Sequence, residues 1–309
     1  MTLAQLNWID ANALSLPVQG AKTDLAYRVG GITFGLSVAA DMRVALESGL
    51  RDFEVETADC DVRIQVDWAE KIEKPSCEAT FDSGGLWSVY KVSDGHKFYF
   101  STPFLGLSPY KAAWFDEEFT TGRVELFQEY FHGDEPVFPM EYPLDELLMI
   151  HRLSRGEGIE VHAVGIVEES GSGHLFLGHS GAGKSTTAKL WESRKGIHIL
   201  SDDRIILRAR DGEIWMYGTP WHGDAGVASP RAARLTQIYL LEHGGCNDLM
   251  PVAHTRAAAE LLARSFVPYH SAQGLDYALR LADQVARETP CSIFRFVPDG
   301  SAVEAICRA

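Results

Sequence analysis

Leu175-Phe-Leu-Gly178-His-Ser180-Gly181-Ala182-Gly183-Lys184-Ser185-Thr186 is the stretch whose reading decides the fold. Gly178, Gly183, Lys184 and Ser185 satisfy the spacing G-x-x-x-x-G-K-[ST] of a phosphate-binding loop. The apolar run 175–177 supplies a strand before it, and Thr187, Leu190 and Trp191 recur at helical intervals after it. Glycines at 178, 181 and 183 let successive backbone amides turn inward around an anion, and the following helix aims its positive end at the same oxygens. Residues 178 and 180–186 are therefore expected to hold ATP: Lys184 answers the β- and γ-phosphates and the Ser185 hydroxyl ligates Mg²⁺.

A second apolar run, 197–200, ends at Ser201-Asp202-Asp203, which places two carboxylates at a strand end near the phosphate loop of a layered α/β domain. One suits Mg²⁺ and the other suits the proton of an attacking hydroxyl. Spacing alone leaves open which does which.

Taken together, 178–185 and 201–203 resemble the kinase domain of HPr kinase/phosphorylase and the wider group built like ATP-dependent phosphoenolpyruvate carboxykinase. Leu153-Ser-Arg-Gly-Glu-Gly158 and Tyr217-Gly-Thr-Pro220-Trp221-His222-Gly-Asp224 resemble the HPr-kinase-related branch, and the likeness spans roughly 145–300. It implies Asp202 as the base, Asp203 with Ser185 as the metal ligands, and Lys184 and His162 as catalytic residues. His162 sits inside an apolar strand, where a core histidine is the alternative reading. The 219–224 loop faces substrate through Trp221 and His222, with Arg231 beyond it, or else Trp221 is simply packed. Thr186 stands where HPr kinase carries Glu, which points away from the protein HPr as substrate.

The expected architecture is α/β: a β-rich α+β domain at 1–142 and a phosphate-loop domain of the HPr-kinase or carboxykinase type at 143–309. Period-two runs at 27–38, 61–68, 86–92, 97–101, 112–115 and 123–127 predict a separate antiparallel sheet. The residues 42–50 and 255–266 predict helices, the latter capped by Thr255, and 302–306 a closing strand. Residues 1–24 read as a lead-in.

The expected activity is transfer of the γ-phosphoryl group of ATP, with Mg²⁺, to the hydroxyl of a serine side chain or small alcohol. A nucleotide-binding regulatory module, or an ATPase without an acceptor, is the alternative. The net charge of −15 argues against nucleic acid and anionic membrane surfaces. Five cysteines without a C-x-x-C pair read as reduced, mostly buried thiols. With no secretory signal and no apolar run of membrane-spanning length, a cytoplasmic location is expected. Assembly into a homo-oligomer is left open.

Overall fold

The computed structural model describes residues 23–56, 59–106, 108–131 and 135–308, and most of the 1–24 lead-in lies outside them. The fold is mixed α/β, with two large sheets and few helices.

The first sheet has eight strands: β1 Leu25–Val29, β2 Ile32–Val38, β3 Val62–Ala69, β4 Phe81–Asp82, β5 Trp87–Val92, β6 Gly95–Ser101, β7 Pro109–Asp116 and β8 Thr121–Phe127. Their order is β1-β2-β3-β8-β7-β6-β5-β4. Alternation decides the faces: Val62, Ile64 and Val66 of β3 are buried while the residues between them are not fully so. The sheet is not purely antiparallel, because β3 lies parallel to both β2 and β8. Sequence alternation reports which face is buried and is silent on strand direction. The 42–50 helix is also corrected, to a 3-10 turn at Ser48–Phe53.

Helix α1, Leu144–Leu153, closes this core with Leu144, Leu148, Met149 and Leu153, and Ile206 and Tyr217 join it from the second sheet. Asp145 and Glu146 lie in its first turn, where carboxylates suit the helix dipole.

The second sheet contains β9 Ile159–Val167, β10 Ser172–Leu177, β11 His198–Ser201, β12 Arg204–Arg210, β13 Glu213–Gly218, β14 Ala232–His243, β15 Asp248–Pro251, β16 Ser265–Phe266 and β17 Cys291–Phe296. Its main order is β10-β9-β12-β13-β14-β17-β15; β11 and β16 pair with β9, and β10 pairs directly with β14. The strands β9, β12, β13, β14 and β10 thus form a closed circuit. Helices α3 His254–Leu262 and α4 Ala272–Glu288 cover one face, with Leu261, Leu281 and Val285 over Val161 and Leu177. Helices α2 Lys184–Glu192 and α5 Gly300–Cys307 cover the other, where Trp191, Ala302, Val303 and Ile306 meet Phe176 and Phe294. Each such fully buried large side chain contributes roughly 1.5–3 kcal/mol.

The expected strand at 302–306 is α5. The Asp299 side chain caps it by accepting from the Ser301 amide at 2.8 Å, and Ala302, Val303 and Ile306 repeat on one helical face. Helix α3 starts without a side-chain cap, Ala253 occupying the position expected of Thr255. Three of the five cysteines, Cys77, Cys246 and Cys307, are exposed rather than buried.

Candidate functional site

β9 is the neighbour that the chemistry shares. β10 runs antiparallel to it with Leu177 opposite Ala163, so the loop 178–183 leaves the sheet beside that residue. β11 and β12 pair with β9 in succession, Ser201 opposite Gly165 and Arg204 opposite His162, so Asp202 and Asp203 turn over at the same end. The Ala163 amide donates to the Asp203 carbonyl at 3.1 Å. Glu160 and His162 share the β9 face of Val164 and Ile166, since residues two apart point the same way.

Gly183 is the N-cap of α2 at φ 100°, and a Cβ there would come within 2.5 Å of the Phe296 ring, so both conformation and space demand glycine. The Lys184 ammonium is buried and donates to the carbonyls of Gly178 at 2.9 Å and His179 at 3.2 Å. Burial lowers its pKa, the charges of Arg264 and Arg204 lower it further, and Asp203 opposes them. Ser185 and Thr186, both half-buried, follow in the first turn of α2. The Gly181 carbonyl accepts from His243 Nε2 at 2.8 Å.

The two aspartates occupy different environments. Asp202 is 1% exposed and both its oxygens accept backbone amides: Gly223 at 3.0 Å, Ala225 at 2.8 Å and Val227 at 3.3 Å. Asp203 is 25% exposed; Oδ1 accepts from His162 Nε2 at 3.1 Å and Oδ2 pairs with the Arg204 guanidinium. Burial pushes the Asp203 carboxyl up, but the His162 hydrogen bond and the Arg204 charge outweigh it and hold it below its ordinary range. Arg204 also reaches Glu146 at 2.9 Å and Glu160 at 3.4 Å. Glu160 is wholly buried, and burial followed by the charge of Glu146 raises its pKa.

Of the residues expected to face substrate, Trp221 turns inward: its indole Nε1 donates to Asp145 at 2.8 Å and its ring packs against the first core. His222 is exposed. Arg231 is exposed and lines a groove of about 560 Å³ with Asp52, Glu192, His198 and Ser229.

Sequence reasoning missed Arg264. Its guanidinium donates to His179 Nε2 at 2.9 Å and to Glu260, and its carbonyl accepts from the His162 amide at 2.8 Å, so it adds a second cation beside the loop. It lies about 80 residues beyond the loop, in Ala-Arg264-Ser, with no local signal to mark it. Arg204 carried one signal, adjacency to the acidic pair.

Among the described residues no group of three His, Cys, Asp or Glu is placed to hold a metal. One serine hydroxyl and one carboxylate form the sparse oxygen set with which Mg²⁺ binds when phosphate oxygens and waters complete its shell. No helix of the described residues is long and apolar enough to cross a membrane.

No family model and no curated protein matches the chain. Among solved structures, the chain is similar to the Hpr(Ser) kinase/phosphatase from Coxiella burnetii at a TM-score of 0.29 and 13% identity, covering 48% of this chain and 88% of that one.

Proposed function

We propose that the chain is an ATP-dependent kinase that transfers the γ-phosphoryl group, with Mg²⁺, to the hydroxyl of a serine side chain or a small alcohol. In this reading residues 143–309 are a phosphate-loop domain of the HPr-kinase and carboxykinase type, and 1–142 a separate β-rich domain. The observation that carries it is the meeting, at one end of β9, of a glycine loop with a lysine that has no carboxylate at ion-pair distance among the described residues and an Asp203–His162 pair.

The amides of 178–183 and the start of α2 bind the triphosphate, and Lys184 exchanges its two carbonyl partners for phosphate oxygens. Arg264 supplies further positive charge where negative charge grows in the transition state. Ser185 and Asp203 would hold Mg²⁺, which would supply positive charge against the triphosphate. The acceptor oxygen attacks the γ-phosphorus in line, the bond to the bridging oxygen breaks, and ADP leaves with that electron pair. The family resemblance gives the acceptor's proton to Asp202. We give it instead to His162, whose Nε2 lies 3.1 Å from Asp203 Oδ1, because Asp202 is enclosed by the amides of the 223–227 loop.

The enclosure of Asp202 by three amides is also what favours the second reading, a nucleotide-binding module without an acceptor. Incubation with γ-labelled ATP, Mg²⁺ and a cell extract separates the two. A kinase places label on a hydroxyl-bearing species in the wild type and loses transfer, with nucleotide affinity kept, in His162→Asn. A module releases little ADP and labels nothing, and that outcome would overturn the kinase reading.

A further inference from the structure

Two adjacent residues at the start of α1 hold the two aspartates through separate arms. Asp145 accepts the Trp221 indole at 2.8 Å, and Trp221 begins the segment whose amides at 223, 225 and 227 close on Asp202. Glu146 accepts Arg204 Nε at 2.9 Å, and the same guanidinium pairs through Nη1 with Asp203. The Arg204 plane lies 4.1 Å over the Phe266 ring, which fixes it from the side. α1 itself is locked by Leu144, Leu148 and Met149 in the core of the first sheet.

We propose that Arg204 and Glu146 form a positioning arm, with α1 as its fixed point, that sets how strongly Asp203 engages the magnesium of a bound nucleotide. The inference rests on the phosphate-loop reading above and goes beyond it, because it ties the site to the core of the first sheet through α1. A guanidinium shared among three carboxylates leaves Asp203 only partly compensated, so negative charge remains for a cation. If Glu146 is neutralised, Arg204 turns its charge onto Asp203 and the attraction for magnesium falls. A lysine at 204 has a point charge without the fork that spans both sides.

The test is ATP affinity, measured calorimetrically on the full chain with and without Mg²⁺, so that the gain due to magnesium is read apart from the nucleotide itself. Arg204→Lys is expected to keep magnesium-free ATP affinity within about twofold and to lose about tenfold of the magnesium gain; Glu146→Gln loses about threefold by the same coupling. The double variant loses no more than Arg204→Lys alone, since both changes break one arm. Arg208→Lys is the control: this arginine joins Glu157 and the Gly30 carbonyl far from the acidic pair, so it lowers the unfolding midpoint without touching the magnesium gain. An unchanged magnesium gain in Arg204→Lys, additive losses in the double variant, or an equal loss in Arg208→Lys would each overturn the arm while leaving nucleotide binding intact. A wild type that takes up no ATP would remove the phosphate-loop reading and the arm with it.

Discussion

Two buried lysines show how the halves of this molecule differ. Lys111, in β7 of the first sheet, is 0% exposed, faces Glu141 at 3.3 Å, accepts no solvent contact and stands 5.0 Å from the Phe100 ring centroid. Its charge is answered inside the fold. Lys184, 7% exposed beside the glycine-rich loop 178–183, has only two carbonyl oxygens as hydrogen-bond partners and no carboxylate at ion-pair distance among the described residues. A buried ammonium hydrogen-bonded only to backbone carbonyls, with Asp203 acting on it from beyond ion-pair distance, is costly, and an incoming phosphate would relieve that cost. The first lysine is paired inside the fold, and the second is the one the kinase proposal assigns to phosphate.

The largest expected effect probes the buried charges of the first half. Burial pushes the Asp145 carboxyl up to about 7, with the Trp221 hydrogen bond pulling the other way. A carboxyl whose folded pKa is raised keeps its proton longer in the folded state, so its contribution to stability is full below about pH 4 and is lost as pH rises toward 7. The loss runs at up to about 1.4 kcal/mol per pH unit. Asp145→Asn, which cannot ionise, is therefore expected to overtake the wild type in stability between about pH 4 and 7, as read by denaturant unfolding at each pH. Parallel profiles would show that Asp145 does not carry this cost.

Next in size is Lys184→Met. Losing charge-assisted hydrogen bonds to phosphate weakens nucleotide binding by roughly 1.5–3 kcal/mol, about 10- to 150-fold, with the unfolding midpoint unchanged or raised. Displacement of a fluorescent nucleotide measures it. Gly183→Ala follows, at about 1–3 kcal/mol of strain from the left-handed backbone and the Phe296 contact, expressed as weaker nucleotide binding and a lower midpoint together. The smallest effect on nucleotide binding is that of Lys111→Met: it breaks the pair with Glu141 and lowers stability, by up to roughly 3–5 kcal/mol, while leaving nucleotide affinity alone. Nucleotide affinity equal to the wild type's in that variant sharpens the contrast, whereas a shared loss in both lysine variants would break it.

What the sequence made legible follows the same division. The expected phosphate loop rests on a local rule, glycine and lysine at fixed spacing between a strand and a helix, and the strand and helix on either side of 178–183 are present as β10 and α2. The turns that join β1 to β2, β5 to β6 and β12 to β13 are local features of the same kind, each containing glycine. The approach of Arg204 to Glu146 and of Arg264 to His179 depends on residues about 60 to 85 positions apart, which no spacing rule reports. The parallel placement of β3 was hidden for a related reason: the same alternation serves either direction. At 302–306 an apolar run too short to separate helix from strand was decided by the Asp299 cap and the face that α2 left uncovered.

If the 178–185 loop encloses polyphosphate, calorimetric titration of ATP into the full chain in magnesium buffer gives saturable uptake that Lys184→Met largely abolishes. No heat of binding, or uptake indifferent to Lys184→Met, would contradict it.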